Sequence, residues 1–173
     1  MIEPETKDWT WVLTRRCEEC GTESSAFTPA DVASELADAA RRWAEVLRRD
    51  AVADRPDDST WSPLEYGAHS ADVLDVMSTR LALIRGGDGP TFADWDQDRA
   101  AVDGNYLARD PGEVARTFAE RAEETGIVFG AVPEAAWERP GYRSDGAAFT
   151  VRTLAQYLLH DIRHHLHDVG SAA

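Results

Sequence analysis

Four of the five histidines of this chain lie close together, in the stretch LLHDIRHHLHDV near its carboxyl end. The stretch contains His160, His164, His165 and His167, whereas His69 lies far upstream. Imidazole nitrogens are common ligands of zinc and similar divalent ions. Taken alone, the cluster is as consistent with a solvated, histidine-rich helix end as with a metal site.

The direction of each histidine follows from the turn of about 100° per residue in an α-helix. Six apolar residues recur at helical spacing and define the face that packs in the core: Val151, Leu154, Leu158, Ile162, Leu166 and Val169. His160, His164 and His167 point away from the centre of this face, and we interpret His167 as a surface residue. The pair His160 and His164 is therefore expected to face outward or along a border. A kink in the helix would turn this pair inward, which keeps it as an alternative.

Asp161 and His165 are also four residues apart, and they lie on the edge of the apolar face. Asp168 lies on the same edge and is suited to hold the second nitrogen of His165. His69 lies at a core border of another predicted helix. We therefore predict that His69, Asp161 and His165 converge between the two helices and bind a divalent metal.

Four helices that would position these residues are predicted from their caps and apolar periodicity. They run from Thr28 to about Asp50, from Ser62 to about Arg85, from Asp110 to about Gly130 and from near Thr150 to Val169. Two long connections, residues 86–109 and 132–149, are rich in aromatic, acidic and turn-forming residues. Long connections of this kind are often functional. Because no strand alternation is convincing, the pattern predicts an all-α four-helix bundle.

Composition limits the classes of partner. The chain has 173 residues and a formal net charge of −14, which argues against binding to nucleic acid or to anionic membranes. No apolar run is long enough to span a bilayer, and the first residues lack the pattern of a signal peptide. Two cysteines without an export signal indicate a reducing, cytoplasmic environment.

The stretch RRCEECG places Cys17 and Cys20 in a C-x-x-C motif. The motif is consistent with a redox dithiol, with half of a zinc site shared with another chain, or with two ordinary thiols. We favour a structural or incidental role and predict that these thiols do not bind the ion at His69. Residues 1–27 are accordingly interpreted as an N-terminal arm, and residues 28–170 as the bundle domain.

The stretch DWDQD lies in the first long connection. In a functional interpretation Asp96 acts as a catalytic base, while Trp95 covers the mouth of the site and Asp98 binds polar groups of a thiol cofactor. The alternative is that the stretch forms a short capped helix with Trp95 in the core. We favour this alternative for Trp95 and give the two interpretations equal weight for Asp96. In the second connection, the charged side chains that would suit a carboxylate substrate are Arg139, Arg143 and Asp145.

Two motifs together resemble those of the DinB/YfiT-like metalloenzymes: WSPLEYGAH, ending at His69, and HDIRHH, residues 160–165. The resemblance covers about residues 28–169. It implies a four-helix bundle with up-down-down-up connections and a divalent ion, commonly zinc or nickel. The family's usual histidine pair on the last helix matches His160 and His164. The mycothiol-dependent maleylpyruvate isomerase branch instead has a glutamate-x-x-x-histidine pair, which Asp161 and His165 resemble with a shorter acid. We adopt this second match because the helix geometry agrees with it.

The resemblance also implies a function. Several members of the family use a low-molecular-weight thiol, mycothiol or bacillithiol, and the Ala- and Arg-rich composition is typical of actinobacterial proteins, in which mycothiol is expected. We predict a zinc- or nickel-dependent S-transferase or isomerase with mycothiol as co-substrate and a small electrophilic substrate. The alternatives are a non-catalytic metal-binding or stress-associated bundle and a structural module that assembles through its acidic surface. A homodimer is compatible with each of them.

Overall fold

The structure is a computed structural model and describes residue 2 and residues 7–171. Within this part the chain forms five α-helices: α1 Val32–Val46, α2 Pro63–Gly86, α3 Gln97–Asp103, α4 Pro111–Gly130 and α5 Val151–Asp168. The same residues contain three short strands: β1 Thr91–Phe92, β2 Pro140–Arg143 and β3 Ala148–Thr150. No helix among the described residues is long and apolar enough to cross a membrane.

The four long helices form a bundle in which α1 and α2 each pack against both α4 and α5. Each helix contributes fully buried side chains to one continuous core, among them Trp43, Leu74, Phe118 and Leu158. The rings of Trp43 and Phe118 lie 6.1 Å apart across α1 and α4. The predicted four helices are therefore present, and the packing of α2 against α5 brings the two predicted ligand-bearing helices into contact.

The start of α2 shows how the sequence sets a helix boundary. The Glu65 backbone N–H donates to Ser62 Oγ, and the Glu65 carboxylate in turn accepts from the Ser62 backbone N–H at 2.9 Å. Pro63 occupies the first turn, where its missing N–H costs nothing. This reciprocal cap fixes where α2 begins, and hence where His69 lies two turns later.

Three features differ from the sequence-based expectation. The first helix ends at Val46 rather than near Asp50, and residues 47–53 form turns in which Ala51 has a positive φ of 56°. The first long connection contains a fifth helix, α3, which the sequence offered only as the alternative interpretation of the stretch DWDQD. The expectation of no strands was also wrong, since strands of two to four residues are too short to show an alternating pattern.

The small sheet joins the two long connections in the order β1–β2–β3. Strand β1 pairs in parallel with β2, and β2 pairs antiparallel with β3. Gly141 in β2 lies so close to α2 that a Cβ atom there would be 2.5 Å from Ile84 Cγ1. The sheet is thus packed directly on α2, and β1 leads into the segment that contains Trp95.

The segment from residue 7 to residue 27 packs along α5. Gln156 Nε2 on α5 donates to the Phe27 carbonyl at 3.0 Å and fixes the end of this segment. The division into an N-terminal arm, residues 1–27, and a bundle domain, residues 28–170, stays a prediction, and residues 1 and 3–6 lie outside the described part.

Candidate metal centre

The structure brings together His69 of α2 with Asp161 and His165 of α5. One ligand-type atom from each lies within 4.8 Å of the other two. His69 Nε2 is 3.9 Å from Asp161 Oδ2, and His165 Nε2 is 3.7 Å from Asp161 Oδ1. The two imidazole rings are 4.8 Å apart and nearly perpendicular, with an interplanar angle of 83°. The arrangement presents three donors to a common point between the helices.

Unsatisfied polar atoms show that these residues fit a divalent ion. His69 is 1% exposed, and neither of its ring nitrogens has a hydrogen-bond partner among the described residues. The buried Asp161 Oδ2 likewise has none. Leaving a buried polar atom unpaired costs about 1–3 kcal/mol. A cation between the helices would satisfy Asp161 Oδ2 and one nitrogen of His69.

A carboxylate outside the cluster orients His165. Its Nδ1 donates to Asp168 Oδ2 at 3.0 Å, which leaves Nε2 directed at Asp161. Histidines that bind metals are commonly held in this way, because the second hydrogen bond fixes both the tautomer and the ring orientation.

The electrostatics of the cluster favour a bound cation. Burial, together with the charge on His165, holds the pKa of His69 well below its usual value, so its ring is neutral and able to ligate. Burial raises the pKa of Asp161, although His165 opposes the shift. Burial lowers the pKa of His165, but Asp161 and Asp168 outweigh it, so the pKa lies above the usual value. A cation here would compensate the buried charge of Asp161.

Aromatic rings surround the two histidines. Trp95 stacks on His69 with the ring centroids 5.3 Å apart and the planes only 16° apart. Trp61 contacts His69 at 5.2 Å, and Tyr66 lies 5.1 Å from His165. These rings pack against both histidines and restrict their orientation. The predicted covering residue, Trp95, therefore lies against the cluster.

Asp96 and Asp98 both line a cleft beside His69. Asp96 is exposed, and its Oδ1 accepts from the Arg99 backbone N–H at 2.8 Å as the N-cap of α3. This cap accounts for Asp96 without a catalytic role, whereas Asp98 is half-buried. Their predicted roles as base and as thiol-binding residue stay predictions.

Two clefts meet at Asp161. One has a volume of about 330 Å³ and is lined by Trp9, Tyr66 and His165 among others. The other has a volume of about 580 Å³ and extends past His69 and Trp95. Small molecules can therefore approach the cluster from two sides.

Arg80, which the sequence interpretation missed, lies in the larger cleft. It is 5% exposed, contacts the Ala93 carbonyl at 3.2 Å, and makes no ion pair with a carboxylate of the described residues. Its signal was present in the sequence, as a charged residue on the apolar face of α2. Arg143 also lines this cleft and is paired with Asp145 at 2.7 Å, whereas Arg139 donates to the carbonyl of Ile84.

His160 and His164 point away from the centre of the bundle core, as the helical spacing predicts. They are nevertheless only 3% and 6% exposed, which the spacing does not predict. The N-terminal segment covers them: Cys20 Sγ is 3.7 Å from His160 Nε2, and Cys17 Sγ is 3.7 Å from His164 Nδ1. They form a second cluster with the cysteines, apart from His69, while His167 is exposed as expected.

Comparison with known proteins places the chain in a family. A similar solved structure is that of YfiT from Bacillus subtilis, described as a probable metal-dependent hydrolase with an unusual four-helix bundle topology. The TM-score is 0.71 over 80% of this chain and 82% of that chain, with 16% sequence identity, which shows a shared fold. No curated protein sequence matches the chain. The family model of the DinB superfamily matches residues 34–169, a range that includes α1 through α5 almost entirely. The chain therefore belongs to the DinB superfamily.

Proposed function

We propose that this protein is a metal-dependent enzyme that transfers a low-molecular-weight thiol, mycothiol, to a small electrophile or isomerises a substrate through a thiol adduct. The metal dependence is supported by the convergence of His69, Asp161 and His165 beside two clefts. Buried ligand atoms of His69 and Asp161 have no hydrogen-bond partner among the described residues. We propose zinc as the ion and the up-down-down-up connection of the family for the bundle.

Three protein ligands leave a tetrahedral ion one coordination position short, as in catalytic rather than structural zinc sites. When bound, the ion lowers the pKa of a thiol in that position and so supplies a thiolate nucleophile near neutral pH. His69 contributes a neutral nitrogen and Asp161 a negative charge, while Asp168 keeps His165 in the ligating tautomer. Trp61 and Trp95 pack against His69 and would limit the access of water on that side, which strengthens each electrostatic interaction there.

The larger cleft supplies groups for a substrate. Arg80 offers a buried guanidinium without a carboxylate partner among the described residues, which suits an anionic group such as a carboxylate on the electrophile. Asp98 borders both clefts, which supports a role in accepting hydrogen bonds from hydroxyl or amide groups of the thiol. Arg80 would thus position the electrophile, and Asp98 the thiol.

A metal-dependent hydrolase is the second candidate. YfiT, which shares the fold, is described as a probable metal-dependent hydrolase, and the same open position would accept water in place of a thiol. A non-catalytic site that only stabilises the bundle is the remaining alternative. In the hydrolase and in the non-catalytic protein, unlike in the first proposal, no thiolate binds the metal.

The test is to substitute cobalt for the bound metal and to add mycothiol near neutral pH. We expect a new sulfur-to-metal charge-transfer band that depends on the thiol concentration. The matched control is His69→Ala, which removes one ligand of this cluster and leaves the cysteines and their neighbouring histidines in place. The new band should be absent from this control.

Two results would contradict the thiol proposal. One is a spectrum that mycothiol, bacillithiol and glutathione all leave unchanged although the cobalt is bound. The other is an equal response in His69→Ala, because the thiol would then be binding somewhere else. Hydrolysis of ester or amide substrates by a protein with an unresponsive spectrum would favour the hydrolase.

A further inference from the structure

We propose that Cys17, Cys20, His160 and His164 form a second metal site, a Cys2His2 zinc site that attaches the N-terminal segment to α5. This site is separate from the one formed by His69, Asp161 and His165, and it holds whether or not the proposed enzymatic function is correct. The inference rests on the geometry of four side chains that come from opposite ends of the chain.

Distances among the four side chains match a tetrahedral zinc ion. One ligand-type atom from each lies within 4.8 Å of the other three. Both short sulfur-to-nitrogen distances, Cys20 Sγ to His160 Nε2 and Cys17 Sγ to His164 Nδ1, are 3.7 Å. Zn–S and Zn–N bonds of about 2.3 and 2.05 Å in tetrahedral geometry separate sulfur from nitrogen by about 3.6 Å. These two sulfur-to-nitrogen distances are therefore close to those that a zinc ion would require.

A tight turn presents the two thiols together. The Cys17 backbone N–H donates to the Thr22 carbonyl at 2.8 Å, and the Gly21 N–H donates to the Cys17 carbonyl at 2.9 Å. Gly21 has a φ of +74°, which a residue with a side chain rarely adopts. The turn brings both sulfur atoms to the same side, facing α5. The C-x-x-C and H-x-x-x-H spacings are those of structural zinc sites.

The surroundings of His164 are also those of a metal ligand. Its Nδ1 faces Cys17, and its Nε2 lies 3.3 Å from Glu19 Oε2 and 3.6 Å from Asp168 Oδ1. A carboxylate on the far nitrogen fixes the tautomer that leaves Nδ1 free to bind. The Trp9 ring covers His164 at 4.8 Å, so the cluster is closed to solvent on that side.

Four protein ligands complete the coordination of zinc, which makes this a structural site without an open position. The role of this second site is indicated by other residues of the N-terminal segment, which lie beside the first site. Trp9 and Glu19 line the smaller cleft beside His165. An ion that fixes Cys17 and Cys20 to α5 would therefore hold one wall of the cleft in place.

The experiment counts zinc in the full chain, produced with added zinc and purified without chelator under reducing conditions. We expect two zinc ions per chain in the wild type. The variant Cys17→Ser with Cys20→Ser, and separately His160→Ala, should each lose one ion and keep the other. His69→Ala should lose the other ion, while the matched control His167→Ala, on the same helix but exposed, should keep both.

Two further measurements test the second site even if the variant Cys17→Ser with Cys20→Ser does not fold. In the wild type, an organomercurial reagent that caps the two thiols should release one of the two zinc ions. The variant Cys20→His should retain both ions, because histidine is also a zinc ligand. A wild type that binds one zinc, lost in His69→Ala, would overturn the proposal. So would two zinc ions that both survive capping of the two thiols, or a disulfide between Cys17 and Cys20 in protein that contains no second ion.

Discussion

Asp168 connects the two clusters, so changing it should weaken metal binding without removing a ligand. Its carboxylate accepts from His165 Nδ1 at 3.0 Å and lies 3.6 Å from His164 Nε2. Asp168→Asn keeps an oxygen acceptor of the same shape and removes the charge. A hydrogen bond to a charged group contributes about 1.5–3 kcal/mol and a neutral one about 0.5–1.5, so the loss is about 1–1.5 kcal/mol. We expect an approximately tenfold weaker affinity at the His69 site, within the range typical of such carboxylates.

The assay is a competition titration against a metal-binding chromophore, in the background of Cys17→Ser with Cys20→Ser, so that only the His69 site remains. Asp145→Asn is the matched control, since Asp145 pairs with Arg143 and contacts neither metal cluster. An unchanged affinity in Asp168→Asn would refute the argument that this carboxylate orients His165. A comparable loss in the control would show that the effect is one of net charge alone.

Three further predictions concern stability. Phe118→Ala removes a fully buried ring and should lower the free energy of unfolding by about 3–5 kcal/mol in urea; a loss below about 1 kcal/mol would mean that the ring is not in the core. Gly141→Ala would place a Cβ atom 2.5 Å from Ile84 Cγ1 and should cost about 1–3 kcal/mol, part of which Ile84→Ala should recover; no recovery would locate the strain elsewhere. Burial raises the pKa of Glu65, but the hydrogen bond from Arg55 and the cap outweigh it, so the pKa lies below 4.5. A carboxyl whose pKa is lowered on folding stabilises the protein above its unfolded pKa, so the advantage of the wild type over Glu65→Gln should shrink as the pH falls below about 4.5. Urea titrations at several pH values would show it, and a difference that stays constant with pH would contradict it.

Local signals in the sequence were sufficient for the main helices. The cap at Ser62 and Glu65 and the apolar spacing of α5 depend on residues within a few positions of each other. The same spacing showed that Asp161 and His165, and not His160, lie toward His69, and the structure has this arrangement. Periodicity on one helix therefore indicated which side chains meet across the bundle.

Contacts between distant parts of the chain could not be predicted in this way. His164 is buried by Cys17 and Trp9, which are about 150 residues away in sequence and belong to no periodic element. A helical wheel gives the direction of His164 but not what covers it. The short strands were missed for a related reason, because each is shorter than the window in which a period becomes visible.

The most direct test of the central claim is an anomalous difference map, recorded at the zinc absorption edge from crystals of the zinc-loaded wild type. The account predicts an anomalous peak within bonding distance of His69, Asp161 and His165, with a coordination position that no protein atom occupies. An absence of anomalous signal between these three side chains, in crystals that bind zinc elsewhere, would contradict it.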